Sequence, residues 1–395
     1  MPPIRILVVD DSVVIRKVLC DVLKSDPDIE VVGTASDGRI ALAKIIQLTP
    51  DLITLDVEMP NMSGLETIAE IRKLHPKLPI IMFSTLTERG ASTTLDALAL
   101  GASDYVSKPS NTGSLDVTME RIKRDLLPKI KAFCGRRLSD KLQVKPPFKR
   151  VIVPALRGLH TAVRIEILAI GTSTGGPNAL AEVIPAIPAD FPVPIVIVQH
   201  MPPLFTRLLA ERLNKQSLIR VHEGEPGKTL EPGHAWIAPG DHHMIVERRG
   251  TAVQLAINQA PPENSCRPAV DVLFRSVAST FGANTLAVVL TGMGSDGVLG
   301  SQAVRERGGR VYVQDEATSV VWGMPGQTAA AGWADSVFPI QSMAAEIDRH
   351  VRASRTAQRA RYCCRKPRSA PDGSEQGQGH RSVRLAYLLP IRGGP

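Results

Sequence analysis

Hydrophobic and polar positions alternate in two long blocks along the chain. In the first block, residues 1–133, short apolar runs typical of buried strands alternate with stretches such as VVIRKVLCDVLKS, whose apolar positions recur at helical spacing. The apolar runs are IRILVVDD, IEVVGTAS, DLITLDV, LPIIMFST and ASDYVSKP. Because parallel strands need a crossover connection, usually a helix, this alternation predicts a doubly wound parallel sheet.

The alternation resumes at about residue 165 and continues to about residue 350. The strand-like runs are now RIEILAI, VPIVIVQH, HAWIAPG, AVQLAI, TLAVVLTG and GRVYVQD. Between the blocks, residues 134–164 are basic and contain proline without a sustained period, which is typical of a linker. We therefore predict an α/β protein with two doubly wound parallel-sheet domains, the first over 1–133 and a larger one over 165–350.

Charge is informative mainly at the C-terminal end. The formal net charge of the 395 residues is +8, and residues 352–395 contain ten Arg or Lys against two acidic residues, so the rest of the chain is neutral overall. We expect residues 351–395 to form a basic, disordered tail, because they are rich in Ser, Gly and Pro. A neutral, strand-rich second domain is not typical of nucleic-acid binding, so no nucleic-acid partner is expected. A transcription factor remains an alternative, which DNA retardation at moderate salt would support.

Targeting and redox signals are weak in this sequence. No apolar run approaches the roughly 18 residues typical of a membrane span, and MPPIRILVVDD leads directly into a strand-like run rather than a signal peptide. The five cysteines are scattered without metal-ligand spacing. We expect a cytoplasmic protein that does not itself span a membrane.

Polar residues follow the predicted strands of the first domain. Asp10 and Asp11 follow the first strand, Asp56 the third, Ser84 the fourth and Lys108 the fifth. Ligands of open parallel sheets bind beyond the carboxyl ends of the strands, so these side chains are expected to meet. Three carboxylates together favour a bound divalent cation, and an all-oxygen site suits Mg²⁺.

The segments VVDDS, LDVEMPNMSG, FST and YVSKP resemble the receiver domain of two-component response regulators across residues 4–125, which implies a flavodoxin-like fold. The resemblance implies that Asp56 accepts a phosphoryl group from a histidine kinase. It further implies that Mg²⁺ is bound by Asp11, Asp56 and the main-chain carbonyl of Glu58, with Asp10 acting through water. Phosphoryl transfer depends mainly on such positioning and charge neutralisation.

The same resemblance gives roles to three further residues. Lys108 would neutralise the developing charge of the phosphoryl group, and Ser84 would donate a hydrogen bond to a phosphoryl oxygen and draw its loop inward. Tyr105 occupies the position of the switch aromatic of receiver domains. A receiver domain needs an output, which the second domain has to supply.

The stretch ILAIGTSTGGPNAL, residues 167–180, combines a strand-like run with a turn of small residues. It lacks both G-x-G-x-x-G and the G-K-[ST] of a P-loop, but Gly171, Ser173 and Gly175 match G-x-S-x-G, the elbow that exposes a serine hydroxyl. A glycine-rich turn that only packs a helix is the competing interpretation. A non-catalytic module that binds an anion at this helix N-terminus is a second one.

A serine nucleophile needs a base and an orienting carboxylate. His200 ends the strand VPIVIVQH, and Asp296 follows TLAVVLTGMGSDG, so both are expected at the same sheet edge as Ser173. Asp315, after GRVYVQD, is the rival carboxylate; we prefer Asp296 because its glycine-rich loop lets backbone approach a substrate. The other histidines considered are His242 and His243, in a turn, and His222 and His234, which we interpret as surface residues.

The segments IGTSTGGP, VIVQHMPP, IAPGDHHM, RPAVDVLF and LTGMGSDG resemble the catalytic domain of the chemotaxis protein-glutamate methylesterases, the CheB family. The resemblance implies that Ser173 is the nucleophile, His200 the general base and then acid, and Asp296 the orienting residue. Oxyanion-hole candidates are the N–H groups of Thr174, from the elbow geometry, and Met293, from the resemblance. No cofactor is expected in this domain.

The family resemblance also implies a reaction and partners. The enzyme would hydrolyse glutamate γ-methyl esters on methyl-accepting chemoreceptors of the membrane, and deamidate specific receptor glutamines, with a CheA-type histidine kinase as phosphodonor. Arg267 is a candidate contact for acidic receptor side chains, with a loop-stabilising role as the alternative. At Cys266 and Ala269 the family often has His and Ser, which leaves the substrate preference open. Phosphorylation of Asp56 is expected to open an otherwise covered active site.

Overall fold

The computed structural model describes residues 2–85, 87–108, 115–140 and 163–364. The linker prediction for residues 141–162 and the tail prediction for residues 365–395 lie outside the described residues.

The first domain is a parallel sheet with helices on both faces. Its described strands lie in the order β2-β1-β3-β4-β5, and every pairing is parallel. The three central strands are buried almost throughout, which explains their continuous apolar runs. The elements are β1 (Ile4–Val9), α1 (Val13–Lys24), β2 (Ile29–Ala35), α2 (Gly38–Leu48), β3 (Leu52–Asp56), α3 (Gly64–Leu74), β4 (Ile80–Ser84), α4 (Glu88–Ala99), β5 (Asp104–Ser107) and α5 (Leu115–Asp140).

The second domain contains a larger parallel sheet, whose described strands lie in the order β14-β13-β12-β6-β7-β9-β8. The elements are β6 (Ile167–Thr172), α6 (Gly176–Val183), β7 (Ile195–Gln199), α7 (Pro203–Gln216), β8 (Arg220–Glu223), β9 (His234–Ile237), β10 (His243–Arg249), β11 (Ala252–Asn258), α8 (Val270–Phe281), a 3₁₀ turn (Gly282–Asn284), β12 (Thr285–Val289), α9 (Val298–Glu306), β13 (Arg310–Gln314), α10 (Met324–Ala330), β14 (Ser336–Phe338) and α11 (Ile340–Cys364). The predicted fold class, two doubly wound parallel sheets, is confirmed.

Two features differ from the sequence-based expectation. The run AVQLAI belongs to β11, which pairs antiparallel with β10 in a separate hairpin rather than joining the parallel sheet. Helix α5 continues through Asp140, and α11 continues through Cys364, so both cross the boundaries predicted at residues 133 and 350. Helix α11 extends because Val351 is buried in the core and Arg352 pairs with Asp190.

The two domains pack against each other in this structure. Tyr105 of β5 stacks on Phe205 of α7 with ring centroids 4.5 Å apart and planes inclined by 9°. Helix α4 lies against α6 and α7. Interdomain ion pairs join Arg207 to Glu88 at 2.8 Å and Arg212 to Asp96 at 2.7 Å. The first domain therefore contacts the two helices that follow the predicted nucleophile and base.

Candidate functional site

The first domain brings its predicted acidic residues together at the carboxyl end of the sheet. Carboxylate oxygens of Asp10, Asp11 and Asp56 all lie within 4.8 Å of one another. Lys108 Nζ lies 2.7 Å from Asp56 Oδ2 and 3.0 Å from Asp10 Oδ2. Glu58 lines the same cleft as Asp11. The expectation that these side chains meet at one edge agrees with the positions seen.

The electrostatics of this cluster fit a divalent cation. Asp10 Oδ2 is buried and accepts no well-aligned hydrogen bond among the described residues, although the Lys108 ammonium balances part of its charge. Burial, together with the Asp10 carboxylate, raises the pKa of Asp56 to about 6 against the lowering effect of Lys108. Burial alone would lower the pKa of Lys108, but its contacts with Asp56 and Asp10 raise it. Such a buried carboxylate pair with an unsatisfied oxygen is a donor set that hard cations prefer.

The predicted switch residues Ser84 and Tyr105 contact α4 and the second domain, respectively. The Ser84 hydroxyl donates to the Gly90 carbonyl at 3.1 Å and accepts from Thr94 Oγ1 at 2.6 Å, so it is bound to α4. Tyr105 is 8% exposed because its ring is covered by Phe205. Both side chains are therefore engaged with the elements that form the interdomain contact.

In the second domain, Ser173 lies on a tight turn between β6 and α6. Gly175, the N-cap of α6, has φ of 77°, a left-handed conformation that favours glycine. A Cβ at Gly176 would lie 2.0 Å from Gln199 Oε1, and one at Gly171 would lie 2.3 Å from Val270 Cγ1. The Ser173 main chain is fixed on one side by its N–H, which donates to the Thr291 carbonyl at 3.1 Å. The small residues of the motif are thus required by close packing.

His200 and Asp296 are hydrogen-bonded, with Nε2 and Oδ2 2.8 Å apart. Asp296 is 2% exposed and lies at the N-terminus of α8, where the main-chain N–H groups of Val270 and Asp271 donate to its two carboxylate oxygens at 2.6 and 3.0 Å. Helix N-termini stabilise negative charge. Burial alone would raise the pKa of Asp296, but the hydrogen bond from His200 and these N–H groups lower it.

The other ring nitrogen of His200 faces a thiol. Nδ1 lies 3.6 Å from Cys266 Sγ. Burial of the ring disfavours its charged form, but Asp296 and Cys266 outweigh this effect and raise the pKa of His200 to about 10. Because Nε2 donates to a carboxylate, Nδ1 is the nitrogen available for proton transfer. A raised pKa favours the charged imidazolium, whereas a general base needs Nδ1 without its proton.

The three predicted triad residues follow adjacent strands, since β12, β6 and β7 are neighbours and the His200 N–H donates to the Thr172 carbonyl at 3.3 Å. Among the described residues, however, the Ser173 hydroxyl makes no hydrogen bond to His200. The structure therefore brings His200 and Asp296 into contact and places Ser173 at the neighbouring strand end, but without the hydrogen bond between Ser173 and His200 that a complete triad has.

The candidate oxyanion donors lie next to Ser173. Among the described residues, the main-chain N–H groups of Thr174 and Met293 have no hydrogen-bond acceptor. Gly292 approaches the elbow so closely that a Cβ on it would lie 2.9 Å from Ser173 Cβ. Two unpaired N–H groups beside a serine are what an oxyanion hole needs.

Sequence reasoning missed two residues that support Asp296. Asn264, at φ of 52°, donates from Nδ2 to both Asp296 Oδ1 and Asp271 Oδ2 at 2.9 Å. Asp271 is fully buried and accepts the N–H groups of Gly297 and Gly300, which caps α9. Burial raises the pKa of Asp271. An aspartate in the first turn of an apolar helix was the available signal, but nothing in sequence spacing links it to Asp296.

The remaining candidates have structural partners elsewhere. Asp315 caps its own loop by accepting from the Thr318 N–H and hydroxyl. Arg267 pairs with Asp241 at 2.7 Å and donates to two loop carbonyls, which favours the loop-stabilising alternative over a receptor contact.

The other histidines also have local partners. His243 is 1% exposed and joins the Pro261 carbonyl to the Ala269 N–H. The ring of His242 lies 3.1 Å from the Gly240 carbonyl. His222 and His234, interpreted as plain surface residues, are hydrogen-bonded to each other at 3.1 Å.

Comparison with known proteins identifies relatives of both domains. The family model for CheB methylesterase matches residues 168–347, and that for the response regulator receiver domain matches residues 6–120. A protein-glutamate methylesterase/protein-glutamine glutaminase of Trichodesmium erythraeum is 52% identical over 351 residues, which cover 89% of this chain and 100% of that protein. The chain belongs to the CheB methylesterase family. A Nocardioides protein with the same name is also 52% identical, over 90% of this chain and 97% of its own length.

Solved CheB structures resemble each half of this chain separately. The CheB methylesterase catalytic domain of Thermotoga maritima is 42% identical, covers 47% of this chain and 99% of its own, and has a TM-score of 0.46. The response regulator domain of CheB from the same organism is 47% identical, covers 33% of this chain and 94% of its own, and has a TM-score of 0.30. Within the described ranges, no helix has both the length and the apolarity needed to cross a membrane.

Proposed function

We propose that this CheB-family chain is a phosphorylation-activated protein-glutamate methylesterase that acts on methyl-accepting chemoreceptors, and that it also deamidates specific receptor glutamines. The observation that supports this most directly is the His200–Asp296 pair beside the Ser173 elbow. A module that only bound an anion at the turn would not need a buried imidazole–carboxylate pair on the neighbouring strand end. Receptors and kinase would meet this enzyme in the cytoplasm.

The proposed reaction is acyl transfer through Ser173. The Ser173 oxygen attacks the γ-carbonyl carbon of the ester, and its proton passes to His200. Asp296 orients the ring and stabilises the imidazolium. The carbonyl oxygen becomes an oxyanion that the N–H groups of Thr174 and Met293 stabilise. The proton on His200 then passes to the leaving methoxide, and methanol departs.

Water completes the cycle. It attacks the acyl carbonyl carbon and gives a proton to His200; the ester bond to Ser173 then breaks, and His200 returns the proton to the Ser173 oxygen as glutamate is released. With a glutamine side chain, ammonia is the leaving group in place of methanol. For either reaction, Nδ1 of His200 has to lose its proton and turn from Cys266 to Ser173, so the arrangement described is a resting one.

Phosphorylation of Asp56 is the proposed activating event, with a CheA-type histidine kinase as donor. Asp11, Asp56 and the Glu58 carbonyl would bind Mg²⁺, which shields the charge of the incoming phosphoryl group. Lys108 would pair with a phosphoryl oxygen, and Ser84 would exchange its α4 partners for another one. The added charge of about −1.5 to −2 is enough to reorder such a loop. Because Tyr105 and α4 contact α6 and α7, a change there reaches the elements next to the Ser173 site.

Methanol release from methylated receptor membranes, with and without a small phosphodonor, tests this proposal. The wild type should release methanol slowly alone and faster with the phosphodonor and Mg²⁺. Asp56→Asn should keep the slow rate and lose the response, while the control Asp125→Asn, at a half-buried aspartate of α5 outside the acidic cluster, should respond as the wild type does. A full response in Asp56→Asn would contradict the proposed activation, and absence of any methanol release would contradict the proposed reaction.

A further inference from the structure

One buried side chain contacts the backbone of both the predicted nucleophile and the predicted base. Gln199, the last residue of β7, is 2% exposed. Its Nε2 donates to the Ser173 carbonyl at 2.9 Å and to the His200 carbonyl at 3.3 Å. Gln199 therefore joins the ends of two neighbouring strands at the point where each one delivers a side chain to the site.

The orientation of this amide follows from its surroundings. Two carbonyl oxygens face one end of the amide, and only an NH₂ group can donate to both. The opposite end, Oε1, is buried and accepts no hydrogen bond among the described residues. A buried polar atom without a partner lowers the stability of the fold. The two hydrogen bonds that the amide donates therefore explain why a glutamine occupies this position.

The turn after Ser173 is shaped around the same amide. A Cβ at Gly176 would lie 2.0 Å from Gln199 Oε1 and 2.5 Å from Thr172 Oγ1, so only glycine fits. The Ser173 carbonyl also accepts from the Gly176 N–H at 2.8 Å. The elbow is thus held by Gln199 on its β7 side, as it is held by Thr291 on its β12 side.

The side chains of Ser173 and His200 still have to form their hydrogen bond. Rotation of the His200 ring can do this only if the two backbones stay at the correct spacing, because transfer of a proton needs heavy atoms within about 3 Å. We propose that Gln199 is a positioning residue that sets this spacing. The inference rests on the proposed methylesterase reaction, and it assigns Gln199 no contact with the substrate.

Two substitutions separate positioning from packing. Gln199→Leu keeps most of the side-chain volume and removes both hydrogen-bond donors. We expect kcat to fall about tenfold or more and KM to change less than about threefold. The reason is that a shift of about 1 Å between Ser173 and His200 slows the reaction but does not weaken substrate binding. Gln199→Glu replaces the amide with a buried carboxyl group that faces two carbonyl oxygens. Its protonated form donates one hydrogen bond, and its ionised form donates none and repels both oxygens.

The activity of Gln199→Glu relative to the wild type should therefore fall as pH rises and recover as pH falls. Thr285→Val serves as the matched control, because Thr285 is a buried polar residue at the opposite edge of the same sheet, at the start of β12, and β6 separates β12 from β7. This control should keep wild-type kcat at every pH. Thermal melts of all three variants identify losses that come from unfolding.

Hydrogen exchange gives a readout that does not need activity. Gln199→Leu should speed exchange of the Gly176 amide, and Thr285→Val should not. The inference is wrong if Gln199→Leu keeps kcat within about threefold and the Gly176 exchange rate is unchanged, or if the pH profile of Gln199→Glu follows the wild type. A wild type without methylesterase activity would contradict the proposed function, and the exchange result would then decide the inference by itself.

Discussion

Replacing Asp296 with asparagine is the most informative single change, because the surroundings of this carboxylate are known atom by atom. Oδ2 accepts from His200 Nε2 at 2.8 Å and from the Val270 N–H at 2.6 Å. Oδ1 accepts from the Asp271 N–H at 3.0 Å and from Asn264 Nδ2 at 2.9 Å. All four partners are donors. Whichever way an asparagine amide turns, its NH₂ group meets two of them.

The expected loss of stabilising free energy follows from the number of donors around this side chain. Two hydrogen bonds to a charged acceptor disappear, each worth about 1.5–3 kcal/mol, so the site should lose on the order of 3–6 kcal/mol before relaxation. Without the carboxylate charge, the pKa of His200 should fall from about 10 toward its ordinary 6.5. The imidazolium formed in the reaction then loses its stabilising negative charge. Replacing the triad aspartate of a serine protease with asparagine lowers kcat by about 10⁴.

The assay is methanol release across the neutral to alkaline range, with thermal unfolding measured on the same samples. Asp296→Asn should lose kcat by at least about a hundredfold while remaining folded at assay temperature. Asp315→Asn is the control, because Asp315 also follows a strand of this sheet but caps only its own loop, and it should keep its kcat. Our reasoning would be refuted by Asp296→Asn activity within about tenfold of the wild type, or by an equal loss in Asp315→Asn.

Three further predictions concern the thiol, the elbow and the domain contact. Cys266→Ala removes a group that raises the pKa of His200, so the acid limb of the kcat/KM profile should move to lower pH; an unmoved limb contradicts the contact. The stability contributed by the raised pKa of His200 is complete below 6.5 and is lost as pH rises through about 10, so the variant should lose stability at acid and neutral pH but not above about pH 10, as pH-dependent melts would show. Gly292→Ala would place a Cβ 2.3 Å from Met324 Sδ and 2.9 Å from Ser173 Cβ, so methanol release should be abolished and the melting temperature lowered. Retained activity would contradict the prediction, because it would show that the Gly292 loop can move away from Ser173. Asp96→Arg should raise the unphosphorylated rate by a factor of about 1.4 to 5, because a partly exposed ion pair is worth about 0.2–1 kcal/mol. Arg212→Glu in the same chain should restore the wild-type rate, whereas additive increases would exclude pairing.

The sequence was sufficient for the fold class and for the edge of each sheet where chemistry is concentrated. Apolar runs reveal buried strands, and polar residues at their ends are visible without any structure. This is why Asp10, Asp56 and Lys108 were expected together, and why His200 and Asp296 were expected on neighbouring strand ends.

The supporting contacts were not predictable, because they join residues that no periodicity relates. Asn264 reaches Asp296 from a turn, and Gln199 is an ordinary polar residue at a strand end until its two acceptors are seen. The contact between Nδ1 of His200 and Cys266 depends on a ring orientation that sequence cannot give. Helix α11 extends past the predicted end of the domain because Val351 is buried in the core and Arg352 pairs with Asp190, a contact that sequence spacing does not reveal.

Labelling with a fluorophosphonate, followed by peptide mapping, tests the central claim most directly, namely that Ser173 is activated by the His200–Asp296 pair. The wild type should be labelled on Ser173 with parallel loss of methanol release, Ser173→Ala should take up no label, and His200→Gln should be labelled far more slowly although its serine is intact. Label on another residue, or equal labelling of Ser173 without His200, would contradict the account.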